Sequence, residues 1–186
     1  MNGNAWRQVA ISAMVAAVLA LAAAGLVVYR DRTTTVLIVR HAEKEAWPER
    51  DPPLSPAGRQ RAQELARVAS HAGVSVIFAT EFVRTQQTVQ PLAVQLGVRL
   101  ILTDAADVNG LVSEILSRRG STILVAGHSN TVPQIVEGLG GGTVAPIADN
   151  EFDHLFVVFI PRWGSTRVVA LQYGDRSGVA PVLAGQ

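Results

Sequence analysis

The chain has 186 residues, enough for one domain with a substantial core and too few for two ordinary domains. Apolar residues make up 48% and charged residues only 17%, which excludes an intrinsically disordered chain. Cysteine is absent, so disulfide scaffolds, thiol catalysis and thiolate zinc sites are excluded as well. Residues 33–186 carry 13 basic and 14 acidic groups, and this near-neutral balance argues against nucleic acid as a partner.

Residues 9–28 form an uncharged stretch, VAISAMVAAVLALAAAGLVV, which explains the high mean hydropathy of +0.26. As a helix it would rise about 30 Å, the thickness of the hydrocarbon core of a bilayer. Basic residues and aromatic residues that favour the membrane interface flank this stretch: Trp6, Arg7, Tyr29, Arg30 and Arg32. The sequence therefore predicts a single-pass membrane anchor over residues 1–32, followed by a domain over residues 33–186.

Two other interpretations of the N-terminal stretch stay open. The small residues Ala22–Gly25 suit a cleaved signal peptide, and a long buried core helix is the third possibility. Absence of cysteine fits a domain outside the cytoplasm. We expect the domain to be extracytoplasmic and membrane-anchored, or secreted or periplasmic if the segment is cleaved.

From residue 33 onward, short apolar runs alternate with longer amphipathic segments. The runs predict six strands, at Thr35–Val39, Val74–Ala79, Val98–Leu102, Ser121–Ala126, Leu155–Ile160 and Arg167–Leu171. The amphipathic segments predict four helices, from Pro56 to before Gly73, at Arg84–Leu96, at Val108–Ser117, and from Thr131 to the glycines at 138–142. This alternation predicts an α/β fold, a three-layer α/β/α sandwich with a mostly parallel sheet.

Local signals support the helices. Ser55 suits the N-cap of the first helix after residue 33, and Pro56 its first position. Pro91 falls inside the next helix and is expected to kink or divide it, because proline lacks the N–H that the helix requires.

Polar residues follow directly after three of the predicted strands. Arg40 and His41 come after the first strand, Arg84 lies beyond the second, and His128 and Asn130 come after the fourth. Ligands bind at the carboxyl ends of the strands in such sheets. Guanidinium groups bind phosphate oxygens in a bidentate way, and an imidazole nitrogen can attack phosphorus to form a covalent intermediate. These residue types together predict a phosphoryl site at this edge of the sheet.

The motifs that carry this chemistry, taken in order, resemble a known family. They are VRHAEK at 39–44, LSPAGRQRA at 54–62, ATEFVRTQQT at 79–88 and VAGHSN at 125–130. They are similar to the histidine phosphatase superfamily, in its phosphoglycerate-mutase-like branch (branch 1), over about residues 36–156. The resemblance implies that His41 is the phosphorylated nucleophile. It also implies that Arg40, Arg84 and His128 complete the phosphate pocket, with Asn130 at its border.

The general acid is the least determined part of the pattern. Members of this family often place a glutamate after the second helix, where this chain has two aspartates instead. The candidates here are Asp104, Asp107, Glu43, Glu151 and Asp153. Asp107 also suits the N-cap of the following helix, which is a purely structural role.

The resemblance implies a phosphatase that needs no metal or cofactor and acts on a phosphorylated small molecule or a phosphoprotein. Three alternatives stay open. One is a catalytically impaired, membrane-anchored module that binds phosphate or phosphopeptide. Another is a phosphoglycerate-type mutase, against which the short loop at 43–54 argues, because it leaves the site open and an open site suits hydrolysis. The third is a serine hydrolase using Ser129, which has Thr131 where a nucleophile elbow requires its second glycine.

Overall fold

The computed structural model describes residues 3–30 and 33–175. The chain divides into two compact units, Met1–Arg32 and Thr33–Gln186.

The first unit contains one helix, α1 (Gly3–Arg30), whose 28 residues are mostly apolar. The window Trp6–Ala23 is long and apolar enough to cross a membrane, and none of it is buried. A signal sequence shares this length and composition, so the helix indicates a membrane or secretory context and no finer location. The interfacial roles expected for Tyr29, Arg30 and Arg32 fall on side chains outside the described residues.

The second unit is built on a six-stranded sheet with the order β3-β2-β4-β1-β5-β6. Its strands are β1 (Thr34–Arg40), β2 (Val76–Thr80), β3 (Leu100–Thr103), β4 (Thr122–Gly127), β5 (His154–Ile160) and β6 (Arg167–Gln172). Its helices are α2 (Pro56–Ala69), α3 (Val83–Leu96), α4 (Val108–Ser117) and α5 (Thr131–Gly138). The first four strands pair in parallel, and β5 runs antiparallel to both β1 and β6.

Helices cover both faces of this sheet, because successive side chains of a strand point to opposite faces. On β1, Val36 and Ile38 pack in one core with residues of α4 and α5. Leu37 and Val39 pack in a second core with residues of α2 and α3. The predicted three-layer α/β/α sandwich with a mostly parallel sheet is confirmed.

Two local predictions for the helices can be compared with the structure. Ser55 does cap α2, since its hydroxyl accepts a hydrogen bond from the Gly58 N–H at 3.1 Å, with Pro56 in the first turn. The expectation that Pro91 divides the second helix is wrong, because α3 continues through it to Leu96. Val89 and Leu92, both fully buried on either side of Pro91, pack into the core and hold the helix together across the missing hydrogen bond.

The strand order places three strand ends side by side. β1, β4 and β2 are neighbours, and the register pairs Arg40 with Gly127 and Ala79 with Ala126. The residues that follow these strands, His41, His128 and Glu81, therefore emerge at one edge of the sheet.

Candidate active site

A pocket of about 540 Å³ lies at this edge. Its lining combines cationic, imidazole, carboxylate and hydroxyl groups: Arg40, His41, Lys44, Glu81, Phe82, Arg84, Asp104, Ala105, Ala106, His128, Ser129, Asn130 and Thr131. The structure thus brings together five of the residues singled out from the sequence, namely Arg40, His41, Arg84, His128 and Asn130.

His41 is held in one orientation by its own backbone. Its Nδ1–H donates to the carbonyl oxygen of Ala42 at 2.8 Å, and because a carbonyl only accepts, this bond fixes the proton on Nδ1. Nε2 of the neutral ring then carries the lone pair. The His41 N–H donates to the Gly127 carbonyl at 2.9 Å, and the Ala42 N–H donates to the Thr88 hydroxyl at 2.9 Å. The segment that presents the imidazole is therefore fixed to β4 and to α3.

His128 faces His41, with ring centroids 5.4 Å apart and the rings close to perpendicular. Its Nε2 is hydrogen-bonded to the hydroxyl of Thr80 at 3.1 Å, and the Thr80 and Thr85 hydroxyls pair at 2.9 Å. The His128 N–H donates to the Thr131 hydroxyl at 2.9 Å, which ties the residue to the first turn of α5. Buried hydroxyls thus fix the orientation of the second imidazole.

Both imidazoles are uncharged in the free protein. Burial lowers the pKa of His41 to about 3, against the opposing effect of the hydrogen bond to Ala42, and the nearby His128 and Arg40 lower it further. Burial also lowers the pKa of His128 to about 4, with Arg84 and Arg40 contributing in the same direction. At neutral pH a lone pair is therefore available on Nε2 of His41.

Arg40 is buried, with 5% of its surface exposed, and it is held by a loop before β5. Its Nη1 donates to the carbonyls of Ala148 at 2.7 Å and Glu151 at 2.9 Å, and the guanidinium carbon lies 4.2 Å from the centroid of the Phe152 ring. The carboxylate of Asp149 lies 4.0 Å from Nη2. The Nε atom of Arg40 is buried and has no hydrogen-bond partner among the described residues.

Arg84 projects from the first turn of α3 and has a similar arrangement. Its Nη1 lies 3.5 Å from the Asp51 carboxylate, and its guanidinium carbon lies 4.3 Å from the centroid of the Phe82 ring. Asp51 also accepts a hydrogen bond from the Val83 N–H at 3.0 Å. The Nε atom of Arg84, like that of Arg40, is buried without a partner in the described part of the chain.

The two arginines retain capacity for an anion. Burial lowers the pKa of Arg40 although Asp149 and Glu151 act to raise it, and burial lowers the pKa of Arg84 although Asp51 acts to raise it. The local carboxylates therefore do not fully compensate the desolvated charges. Two desolvated guanidinium groups beside two neutral imidazoles form a pocket suited to a phosphoryl group.

The sequence model of one protein family, the histidine phosphatase superfamily (branch 1), matches residues 36–107. This range contains Arg40, His41 and Arg84. The matched range is 72 of the 186 residues, and over this range the chain is similar to the superfamily. The resemblance inferred from the sequence motifs is thereby confirmed, and the members of this superfamily are phosphatases. A comparison with curated proteins gives no match.

Solved structures of histidine phosphatases share this fold. A structure of the protein histidine phosphatase SixA complexed with tungstate is 17% identical, with 74% of this chain and 96% of that chain covered and a TM-score of 0.62. The mycobacterial glucosyl-3-phosphoglycerate phosphatase is 13% identical, with coverages of 76% and 99% and a TM-score of 0.61. A phosphoserine phosphatase from Entamoeba histolytica is 15% identical, with coverages of 76% and 97% and a TM-score of 0.56. At these identities the similarity establishes the fold alone.

Glu43, a candidate acid from the sequence, is not among the residues that line the pocket. Its carboxylate forms a bidentate ion pair with Arg61 of α2, with Nη2–Oε1 and Nε–Oε2 distances of 2.7 and 2.9 Å. Burial acts to lower the pKa of Arg61, but the hydrogen bonds that Arg61 donates to the Glu43 carboxylate, together with the charge of that carboxylate, outweigh it and the pKa is raised. Arg61 also donates to the Tyr173 carbonyl at 3.0 Å. The structure places Glu43 in a buried link between the nucleophile segment and α2.

The other candidate carboxylates divide between the pocket and its surroundings. Asp107 lies outside the lining and caps α4, accepting a hydrogen bond from the Gly110 N–H at 2.8 Å. Asp104 lies in the lining. Glu151 accepts from the Ala148 N–H at 2.9 Å within the loop that holds Arg40, and Asp153 is buried just before β5.

Several pocket residues were not singled out from the sequence. Glu81 lies in the motif at 79–88, but no role was predicted for it. Its position directly after β2 is the signal that could have identified it. Thr80, Asp51 and Phe152 orient the imidazole and the guanidinium groups, and Lys44 lines the pocket. Asp51 and Phe152 lie outside the motifs and contact arginines far away in the sequence, so no local pattern marks them.

We expect the imidazole signals of His41 and His128 in a histidine-selective NMR titration to remain those of neutral rings as the pH falls through 6.5. Their midpoints should lie near 3 and 4, because the folded pocket disfavours the protonated rings. Since both pKa values are lowered in the folded state, the free energy of unfolding should decrease as the pH falls from about 6.5 towards 4. Assignment through His41→Ala and His128→Ala provides the control, and a midpoint at 6 or above for either ring would contradict the burial argument.

Substituting Glu43→Gln should destabilise the domain by about 3 kcal/mol, because it leaves the buried Arg61 charge uncompensated. Urea unfolding measures this loss. Hydrolysis of an aryl phosphate and of an alkyl phosphate should fall by the same factor, because Glu43 does not face the pocket. The matched control is Glu114→Gln, which removes an exposed partner of Arg118 on α4. A loss at least tenfold larger for the alkyl phosphate would instead make Glu43 the acid.

Proposed function

We propose that this protein is a metal-independent phosphatase that hydrolyses a phosphomonoester or a phosphoprotein through a phosphohistidine intermediate on His41. The observation that carries the proposal is the hydrogen bond from His41 Nδ1–H to the Ala42 carbonyl, which directs the lone pair to Nε2 in a pocket with two anion-binding guanidinium groups. A nucleophile with these neighbours suits attack on phosphorus.

In the first step, Nε2 of His41 attacks the phosphorus atom and the bond from phosphorus to the leaving oxygen breaks. Arg40 and Arg84 bind the equatorial phosphoryl oxygens, and their fixed positive charge supplies what a metal ion supplies in other phosphotransfer sites. His128, held by Thr80, completes the cradle for the developing charge. Asn130, at the start of α5, borders the same volume.

The leaving oxygen requires a proton, and a carboxyl group in the pocket can provide it. Asp104 and Glu81 are the carboxylates that line the pocket, whereas Asp107 caps α4 and Glu43 is paired with Arg61. We assign the acid role to Asp104 or Glu81. In the second step a water molecule attacks the phosphohistidine and gives a proton to the carboxylate that lost its proton in the first step. The phosphorus–nitrogen bond breaks, and inorganic phosphate leaves with His41 restored as the neutral ring and the carboxyl group reprotonated.

The structures that share this fold act, by name, on phosphohistidine in proteins, on glucosyl-3-phosphoglycerate and on phosphoserine. This range supports a substrate class no narrower than a phosphorylated small molecule or a phosphoprotein. The open pocket at the sheet edge accommodates either kind.

We also propose where the protein is located, on the basis of its N-terminal segment. We assign residues 1–32 to an uncleaved single-pass anchor and residues 33–186 to an extracytoplasmic catalytic domain. The length of α1 and the apolar, unburied window within it support the anchor, and the absence of cysteine fits the extracytoplasmic location.

The full chain in detergent should hydrolyse p-nitrophenyl phosphate in the presence of excess chelator, and His41→Ala should reduce kcat by at least about a thousandfold, as expected when a covalent nucleophile is removed. A rapid acid-free quench should trap an acid-labile, base-stable phosphoenzyme on the wild type and none on the variant. His71→Ala is the matched control, since His71 is an exposed histidine beyond the end of α2. Turnover that survives His41→Ala would refute the mechanism.

We expect the expressed chain to resist extraction from membranes by alkaline carbonate and to retain the mass of the uncleaved sequence. Val15→Arg, at an exposed position in the middle of the apolar window, should release the protein, because a central arginine costs about 3 kcal/mol on insertion. Val15→Leu is the control.

The side of the membrane can be read with one label, because the chain has no cysteine. Ser113→Cys on the exposed surface of α4 should react with an impermeant maleimide in intact cells. Release of a chain that begins near residue 25 would identify a signal peptide instead.

A further inference from the structure

We propose that the pocket selects phosphorylated substrates whose leaving group carries a positive charge, and that Glu81 and Asp104 recognise this charge. The inference rests on the proposed function, since it concerns the part of the pocket that contacts the leaving group. It narrows the proposed substrates to phosphorylated compounds whose leaving group is positively charged.

Glu81 and Asp104 are placed together by the sheet. They follow β2 and β3, whose last residues, Thr80 and Thr103, are paired in register. Both residues line the pocket that contains His41 and the two arginines.

Both carboxylates are fixed on the same turn. Glu81 Oε2 accepts a hydrogen bond from the Ala105 N–H at 2.9 Å, and Asp104 Oδ1 accepts from the Ala106 N–H at 2.8 Å. Each bond occupies one carboxylate oxygen and leaves the other for a ligand. A negative wall held by backbone groups is preorganised and loses little entropy when it binds a cation.

The two arginines of the pocket have carboxylate neighbours other than Glu81 and Asp104. Arg40 and Arg84 each have a carboxylate neighbour outside the lining, Asp149 and Asp51, and both guanidinium groups line the pocket. Glu81 acts on Arg84 at a distance, contributing to raise its pKa, but no ion pair joins Glu81 or Asp104 to a basic side chain within residues 3–30 and 33–175.

Binding of a phosphate dianion therefore uses the charge of the two arginines and leaves Glu81 and Asp104 facing the rest of the substrate. During turnover one of them is protonated as the acid and the other keeps its charge, and in complexes with inhibitors that are not turned over both are ionised. A carboxylate or second phosphate on the leaving group would be repelled by them. An ammonium or guanidinium group would be attracted by the two carboxylates together. Both are exposed, so water and salt screen the attraction, and the ligands are compared at low ionic strength. Lys44, the remaining basic residue of the lining, is exposed and offers an opposing preference.

Three ligands whose leaving groups are built on a two-carbon backbone separate these preferences: phosphocholine with a cationic group, ethyl phosphate with a neutral one, and phosphoglycolate with an anionic one. Their inhibition constants are measured against p-nitrophenyl phosphate hydrolysis by the full chain in detergent. We expect phosphocholine to bind about tenfold more tightly than ethyl phosphate, and phosphoglycolate about tenfold more weakly, each step corresponding to about 1.4 kcal/mol.

The decisive variant is the double substitution Glu81→Gln with Asp104→Asn. The amide oxygens can still accept from Ala105 and Ala106, so the turn is preserved while both charges are removed. We expect the three inhibition constants to converge to within about twofold. Each single substitution should give about half of the effect on a logarithmic scale, which keeps the test available if the double variant does not fold.

The ratio between ligands separates charge recognition from proton donation, because loss of a general acid lowers turnover and leaves the order of binding unchanged. Glu114→Gln removes an acidic residue on the far surface of α4 and should leave all three constants unaltered. Lys44→Gln should widen the preference for phosphocholine.

Two results would overturn the inference. One is equal binding of the three ligands by the wild type, and the other is a preference for phosphoglycolate that Lys44→Gln abolishes. If p-nitrophenyl phosphate is not hydrolysed at all, the proposed function fails, and calorimetric dissociation constants for the same ligands still test the charge preference. If hydrolysis depends on His41 while the ratios do not depend on Glu81 and Asp104, only the charge preference fails.

Discussion

The hydrogen bond from the His41 Nδ1–H to the carbonyl of Ala42 is the interaction on which the site depends. It leaves the ring one available nitrogen and turns that nitrogen into the pocket. The bond requires a rigid backbone at residues 41–43, and three contacts provide it: the Gly127 carbonyl, the Thr88 hydroxyl and the Ser55 N–H, which donates to the Glu43 carbonyl. The first turn of α2 approaches so closely that a Cβ on Gly58 would lie 2.0 Å from that carbonyl oxygen, so only glycine fits there.

The two arginines that give the pocket its positive charge are held in similar ways. Each guanidinium lies over an aromatic ring, Phe152 for Arg40 and Phe82 for Arg84, and each is anchored through Nη atoms, leaving Nε unpaired. The aromatic faces hold the side chains without neutralising them. In a domain with almost no net charge, two desolvated arginines are enough to create a local anion site, because burial removes the screening that water would provide.

The strands, the helices and several site residues could be predicted from the sequence. The contacts between distant segments could not. The strands and helices follow from local apolar periodicity, and the site residues at the ends of β1, β2 and β4 follow from the parallel topology that this periodicity implies. Contacts between distant segments have no such signature: carbonyls of the loop at 148–151 hold Arg40, and Arg61 pairs with Glu43. Continuation of α3 through Pro91 is of the same kind, because tertiary packing outweighs a local helix-breaking preference.

The direction of β1 has a mechanical consequence. The chain enters the second unit at Thr34, and the pocket opens beyond Arg40 at the other end of the same strand, six residues further along and roughly 20 Å away. On its two sides β1 is hydrogen-bonded to β4 and to β5 over almost its whole length. A change in the segment before Thr34 is therefore expected to leave the residues beyond Arg40 in place, because the sheet fixes the strand between them.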